Sequence, residues 1–159
     1  SVHGVREAVD QSDLILLATT WAAAEDAVRG AGDFAGKVLV DATNPIGPGL
    51  TLLLGQTDSG AEQVARWATG ARVVKAFNTN FAATLASGSV ASAPISVLIA
   101  GYDAEAKKAL SDVVTASGAA AYDVGGLARA AELEALGFLQ IALAASGQIG
   151  WTNGFALYQ

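Results

Sequence analysis

Five short apolar runs, each a helix's length or more from the next, constrain this chain more than anything else in it. They begin at Leu14 (LILLA), Val38 (VLVD), Val73 (VVKA), Ile95 (ISVLIA) and Ala120 (AAYDV). A short run that is apolar at every position is buried on both faces, and sheets covered on both faces are the parallel ones. Between the runs, residues 5–11, 22–29, 59–67 and 104–116 have helical patterning, and residues 81–85 read as a brief helix. Strands alternating with helices at this spacing predict right-handed βαβ units. The fold class is therefore α/β, a Rossmann-like, doubly wound parallel sheet. A composition of 52% hydrophobic and only 15% charged residues agrees.

Local signals refine the outline. Asp103 precedes residues 104–116 as an N-cap, with Glu105 in the first turn, and Thr20 is placed to cap residues 22–29. Residues 46–49 form a loop rich in glycine and proline, residues up to 58 are weakly patterned, and 87–92 is a loop of small residues. From 127 to about 147 the chain reads as helical and apolar on nearly every side. Such a helix is buried in a core or at a subunit interface, and the interface reading predicts a homo-oligomer. At 159 residues the chain is expected to be one domain, residues 1–159, with 127–159 as its C-terminal helical segment.

Charge and rare residues narrow the function. A formal net charge of −6 with no basic tract argues against nucleic acid and anionic membrane surfaces. Absence of cysteine removes thiol nucleophiles and thiolate metal sites, and the single histidine, His3, makes a histidine-based metal site or triad a poor expectation. No signal peptide or bilayer-length apolar run is visible, so a cytoplasmic location is expected. There is no methionine, and the chain opens at Ser1. Loss of an N-terminal portion is the economical expectation.

The chemistry is expected where two strands end alike. KVLVDATNP (37–45) and RVVKAFNT (72–79) align so that Asp41 matches Lys75 and Asn44 matches Asn78. In an open parallel sheet, ligands bind beyond the carboxyl ends of the strands, so these turns are candidate walls of one site. The plainer reading is that Asn and Asp simply suit turns. Asp41 and Lys75 read as an ion pair between adjacent strands, worth roughly 0–1 kcal/mol if exposed. Glu132 and Glu134 read as the solvated start of a helix, and Tyr102 and Tyr122 as ordinary strand-end residues. Trp21 alone would read as helix packing. The string Gly30-Ala31-Gly32 follows a helix and precedes a strand, the wrong context for a dinucleotide-binding turn.

Taken in order, ILLATTW, VLVDATNP, VVKAFNT, VLIAGYDAEAKK and DVGGLARAAELEALGFLQ resemble the NADPH-dependent coenzyme F420 reductases. They are similar also to the cytoplasmic reductase domains of the STEAP metalloreductases. The resemblance spans residues 5 to about 149. It implies hydride transfer between NADP(H) and a small-molecule redox partner, coenzyme F420 or a flavin-like ring, with no side chain acting as acid or base. By position it implies that Thr19, Thr20 and Trp21 run along the ribose and phosphates. Asn44, beside Pro45, matches an asparagine near the nicotinamide half, and Asn78 faces the meeting point of nicotinamide and acceptor. Ala82 matches a small residue against the nicotinamide. Ala83 falls where STEAP domains carry a flavin-stacking tryptophan, and the family's Ala-Arg-Glu triplet stands here as Ala130-Ala131-Glu132. In that family a strand, a glycine-rich turn, a helix and a second strand come before the region matched. Residues 14–18 are then an uncovered apolar sheet edge, an aggregation template. The competing reading is a non-catalytic nucleotide-binding or oligomerisation module. A third is another dehydrogenase of this fold, such as a pyrroline carboxylate or hydroxyacid enzyme.

Overall fold

A computed structural model describes residues 4–53 and 58–157; His3 lies outside them. Five strands form one sheet in the order β1-β2-β3-β4-β5: β1 Leu14–Leu17, β2 Val38–Asp41, β3 Arg72–Lys75, β4 Ser96–Gly101 and β5 Ala120–Gly125. Six helices accompany them: α1 Val5–Asp10, α2 Trp21–Gly30, α3 Gly60–Trp67, α4 Ala82–Ser87, α5 Ala104–Ala116 and α6 Ala130–Ala145. The α/β architecture expected from the apolar runs is present, with strand starts within one residue of those read from the sequence. Two short hairpins, Ile46–Gly47 with Thr51–Leu52 and Ser89–Val90 with Ala93–Pro94, occupy stretches that read as loops.

The sheet is not parallel throughout. β1, β2 and β3 run parallel, with Leu17, Asp41 and Lys75 in line at their carboxyl ends. β4 then pairs antiparallel with β3, Lys75 opposite Ala100, and β5 runs parallel with β4. A parallel return needs a crossover spanning the sheet, normally a full helix. Between β3 and β4 the chain offers only the six-residue α4 and a hairpin. It therefore stays at the carboxyl end of β3 and re-enters the sheet from there.

Alternation along the strands divides the core between the two faces. Leu39 and Val73 face Val28, Phe34, Val64 and Ala61, the side covered by α1, α2 and α3. Val38, Val40 and Val74 face Val97, Ile99, Ala106 and Leu110, the side covered by α5. Asp103 caps α5 as expected, its carboxylate accepting the Ala106 amide at 2.7 Å. Thr20 holds the N-cap position of α2 but makes no side-chain cap; its backbone carbonyl takes the Ala23 amide instead. Among the described residues β1 pairs with β2 alone, and Leu16 is 51% exposed on that edge. The uncovered apolar edge expected for this run is thus a feature of the described structure.

Candidate cofactor site

The carboxyl ends of β2 and β3 carry a buried charge network. Lys75 is fully buried; its ammonium donates to Asp41 Oδ2 at 2.9 Å and to the Thr43 carbonyl at 2.6 Å, and it is ion-paired with Glu134 Oε1 at 2.9 Å. The other oxygen of Asp41 accepts the Thr43 amide and hydroxyl, at 2.9 and 2.7 Å. Glu134 also accepts the first amides of α3, from Gly60 at 2.9 Å and Ala61 at 3.1 Å. A carboxylate is favoured at a helix N-terminus, where several amides lack intrahelical partners and the helix dipole is positive.

Two expectations change here. The Asp41–Lys75 pair exists but is buried, so the value for an exposed pair does not apply. Glu134 is not solvated: it is 2% exposed, whereas Glu132 is on the surface, paired with Arg129 at 2.9 Å. Lys75 on β3 supplies the reason, since a buried cation in contact with two carboxylates draws the second acid inward. Tyr102, 71% exposed, is an ordinary surface residue as expected.

In front of this network the two asparagines meet. Asn44 Nδ2 donates to the Asn78 carbonyl and Asn78 Nδ2 to Asn44 Oδ1, both at 3.0 Å. Asn78 Nδ2 also donates to the Leu133 carbonyl of α6 at 2.8 Å. Asn78 is thereby saturated as a donor, and its Oδ1, buried with no protein donor among the described residues, is left to accept. Asn80 Oδ1 is in the same position. Gly137 lets α6 come this close. A Cβ there would lie 2.8 Å from Asn44 Oδ1 and 2.8 Å from the Asn78 carbonyl. Just before Asn78 the backbone turns through Phe77 at φ 65°, a region costly for a bulky residue.

These groups border a trough with two lobes. One, of about 470 Å³, is lined by Leu16, Ala18, Thr19, Ala42, Phe77, Asn80, Ala82 and Leu85. The other, of about 500 Å³, adds Asn44, Asn78, Phe81, Ala83, Ile141 and Trp151. Ala42, Phe77, Asn80 and Ala82 belong to both. Of the residues expected to bind cofactor, Thr19, Asn44, Asn78 and Ala82 line this trough. Thr20 is exposed at the start of α2, and Pro45 is buried behind Asn44. Trp21 packs on Trp67, ring centroids 5.4 Å apart, where α2 meets α3. Glu134, Gly137, Phe77, Asn80 and Trp151 were not singled out for the site by the sequence. Only Phe77, next to Asn78, and Asn80, two residues after it, had a signal that would have found them, since both belong to the same strand-end turn.

The residues present suit the nicotinamide half of a dinucleotide. Small side chains leave room for a ring, and amide groups supply neutral hydrogen bonds. No lysine or arginine lines either lobe.

Known proteins resemble this chain in sequence and fold. Residues 2–45 match the family model described as NADP oxidoreductase, coenzyme F420-dependent. The chain is 35% identical to metalloreductase STEAP3 of Rattus norvegicus over 130 residues, which is 82% of this chain and 26% of that protein. Its structure superposes on a protein of Arthrobacter sp. FB24 classed as an F420-dependent NADP-reductase. The TM-score is 0.88 and the identity 29%, over 99% of this chain and 74% of the other. A hypothetical protein of Sinorhizobium meliloti matches with a TM-score of 0.72 and 29% identity, over 80% of this chain and 62% of the other. With the parallel β1–β3 ends, the trough above them and these likenesses in hand, the chain is similar in sequence and fold to the coenzyme F420-dependent NADP oxidoreductases.

Proposed function

We propose that this chain takes part in hydride transfer between NADP(H) and a deazaflavin, coenzyme F420, or a flavin-like ring. The single observation that carries the reading is the two-lobed trough at the strand ends, with Asn44 and Asn78 at its polar border and Ala82 shared by both lobes. When bound, the dihydronicotinamide supplies a hydride; the acceptor ring takes it with its electron pair and gains a proton from solvent. The chain's own part is placement. Asn78 is locked to Asn44 and to α6, so the polar border of the trough is held in one position. Ala82 and Ala42 set how closely a ring approaches, and the apolar walls exclude water, the conditions under which two held rings react. No side chain of the trough is suited to general acid or base work, in keeping with a reaction that needs none.

The same reading extends to partners and place. Leu136, Leu139 and Leu143 form a stripe on α6 turned away from the buried Leu133, Glu134 and Gly137, and Leu139 is 53% exposed. We take this stripe as the contact of a homo-oligomer. No helix among the described residues is long and apolar enough to cross a membrane. The reading takes the protein as a cytoplasmic enzyme with a small-molecule redox partner. The test is a titration of the full-length protein with NADPH and NADH, followed by calorimetry and nicotinamide fluorescence. Saturable NADPH binding is expected. Failure to bind either nucleotide would refute the reading.

A further inference from the structure

The lobe containing Asn44 and Asn78 is closed by aromatic rings from two distant parts of the chain. Phe81 and Trp151 stand with ring centroids 5.0 Å apart and planes inclined by 53°, and both line the lobe with Phe77 and Ile141. Trp151 is nevertheless 53% exposed. Its contact with Phe81 leaves much of the indole uncovered at the mouth of the cavity.

The segment that follows Trp151 is anchored. The Phe155 amide donates to Gln140 Oε1 at 3.2 Å and the Leu157 amide to Ser96 Oγ at 2.9 Å. Both acceptors belong to buried side chains, and Ala156 packs into the core on the α5 side of the sheet. Burying a glutamine to hold one backbone amide is a costly way to fix a surface segment unless its position matters.

The lobe is also without charge. None of the chain's cations lines it. Lys75 is consumed by Asp41 and Glu134. Arg29, Arg66, Arg72, Lys107, Lys108 and Arg129 are paired with carboxylates elsewhere, Lys37 donates to the Asp10 and Ser12 carbonyls, and Arg6 lies on α1. The lobe's lining therefore offers an anion no charged partner.

We propose that Trp151, backed by Phe81, is the stacking face for the acceptor, and that the acceptor is recognised as an uncharged planar heteroaromatic ring whose acidic tail stays in solvent. This rests on the proposed function, in which the nicotinamide lies against Ala82 and Asn78. An aromatic face binds flat π systems with little regard for their substituents. A lobe without a cation gains nothing from a phosphate or carboxylate on the ligand.

Riboflavin and FMN carry the same ring and differ by one phosphate, so they separate the two contributions. The full-length protein, with saturating NADP⁺, is titrated with each, reading quenching of the ring's own fluorescence, and NADPH affinity is measured separately. Riboflavin is expected to bind at least as well as FMN, with less than about a twofold change between roughly 50 and 500 mM salt. Trp151→Ala is expected to weaken riboflavin roughly tenfold, and Trp151→Phe to restore most of it, with NADPH affinity unchanged in both. FMN binding about tenfold tighter than riboflavin, no riboflavin binding at all, or Trp151→Ala binding like the wild type would each overturn the proposal. A wild type that stacks riboflavin on Trp151 but takes no NADPH would instead refute the nucleotide reading and leave the stacking face standing.

Discussion

Lys75 should be the most damaging single position in this chain to neutralise. Replacing it with methionine keeps an unbranched side chain, one atom shorter, and removes the charge. Two buried carboxylates, Asp41 and Glu134, each 2.9 Å from the same nitrogen, would then face one another across the vacated space. Glu134 retains the α3 amides, but Asp41 keeps only Thr43. Removing one member of a buried ion pair typically costs about 3–5 kcal/mol, roughly a fifth or more of a total stability of about 5–15 kcal/mol. With a urea dependence of about 1–3 kcal/mol per molar, the midpoint should fall by about 2 M. Trp21 and Trp67, packed where α2 meets α3, give a fluorescence signal for the titration. Glu134→Gln is the control. It leaves a neutral Asp41–Lys75 pair and an oxygen for one α3 amide, so its cost should be nearer 1 kcal/mol. Neutralising both acids in the methionine variant (Asp41→Asn, Glu134→Gln) should recover most of the loss. A Lys75→Met variant within about 1 kcal/mol of the wild type, or one less harmful than Glu134→Gln, would refute the account of the network as a matched set of charges.

Three further outcomes are expected. Gly137→Ala gains up to about 1 kcal/mol of helix propensity but drives a methyl into Asn44 and Asn78, so a net loss of about 1–2 kcal/mol and weaker NADPH binding should appear in melting and titration; a stabilised variant would contradict the close approach. The Arg66 hydrogen bond at 2.6 Å lowers the Asp58 carboxyl below its ordinary 3.8, so this pair stabilises the fold above that pH and its contribution disappears as pH falls through the depressed value. The pair is well exposed, so Arg66→Gln should cost about 0.5 kcal/mol or less at pH 7, a difference that should shrink as the pH falls through the depressed value, measured as paired melts. Leu139→Glu should convert a dimer or larger assembly to monomer in light scattering, and a wild type already monomeric would remove α6 as an interface.

How much of this was legible before the structure depends on how local each signal is. The strands of β1–β3 and the Asp103 cap were readable because hydrophobic runs and N-caps act over a few residues. Asp41, Lys75, Asn44 and Asn78 were readable because two strand ends repeat the same pattern, and parallel register brings like positions together. The antiparallel β4 was not, because run spacing says nothing about which end of the sheet the chain re-enters. Glu134 was misjudged for a related reason. Glutamate in the first turns of a helix is usually solvated, and only the fold brings Lys75 and the α3 N-terminus to it. Trp151 lies outside any periodic element, so its place in the lobe depends on Gln140 and Ser96, residues 11 and 55 positions away in numbering.

Helix α6 ties these observations together, because it is built the wrong way round for an ordinary surface helix. Its buried face carries Glu134, Gly137 and Gln140 among Ala130, Leu133 and Ala144, while Leu139 is exposed. An inward face made of polar side chains and a glycine gives up apolar burial, and each of those residues returns something specific. Glu134 binds Lys75 and the start of α3, the Leu133 carbonyl and Gly137 receive the two asparagines, and Gln140 holds the segment after Trp151. Each contact is directional, so sliding α6 by one residue would break all of them at once, whereas an apolar face would tolerate the shift. The polar border and the aromatic end of the trough are therefore set by one helix in one register. A substitution at Glu134 or Gln140, neither of which lines the trough, should be felt at both ends of the site.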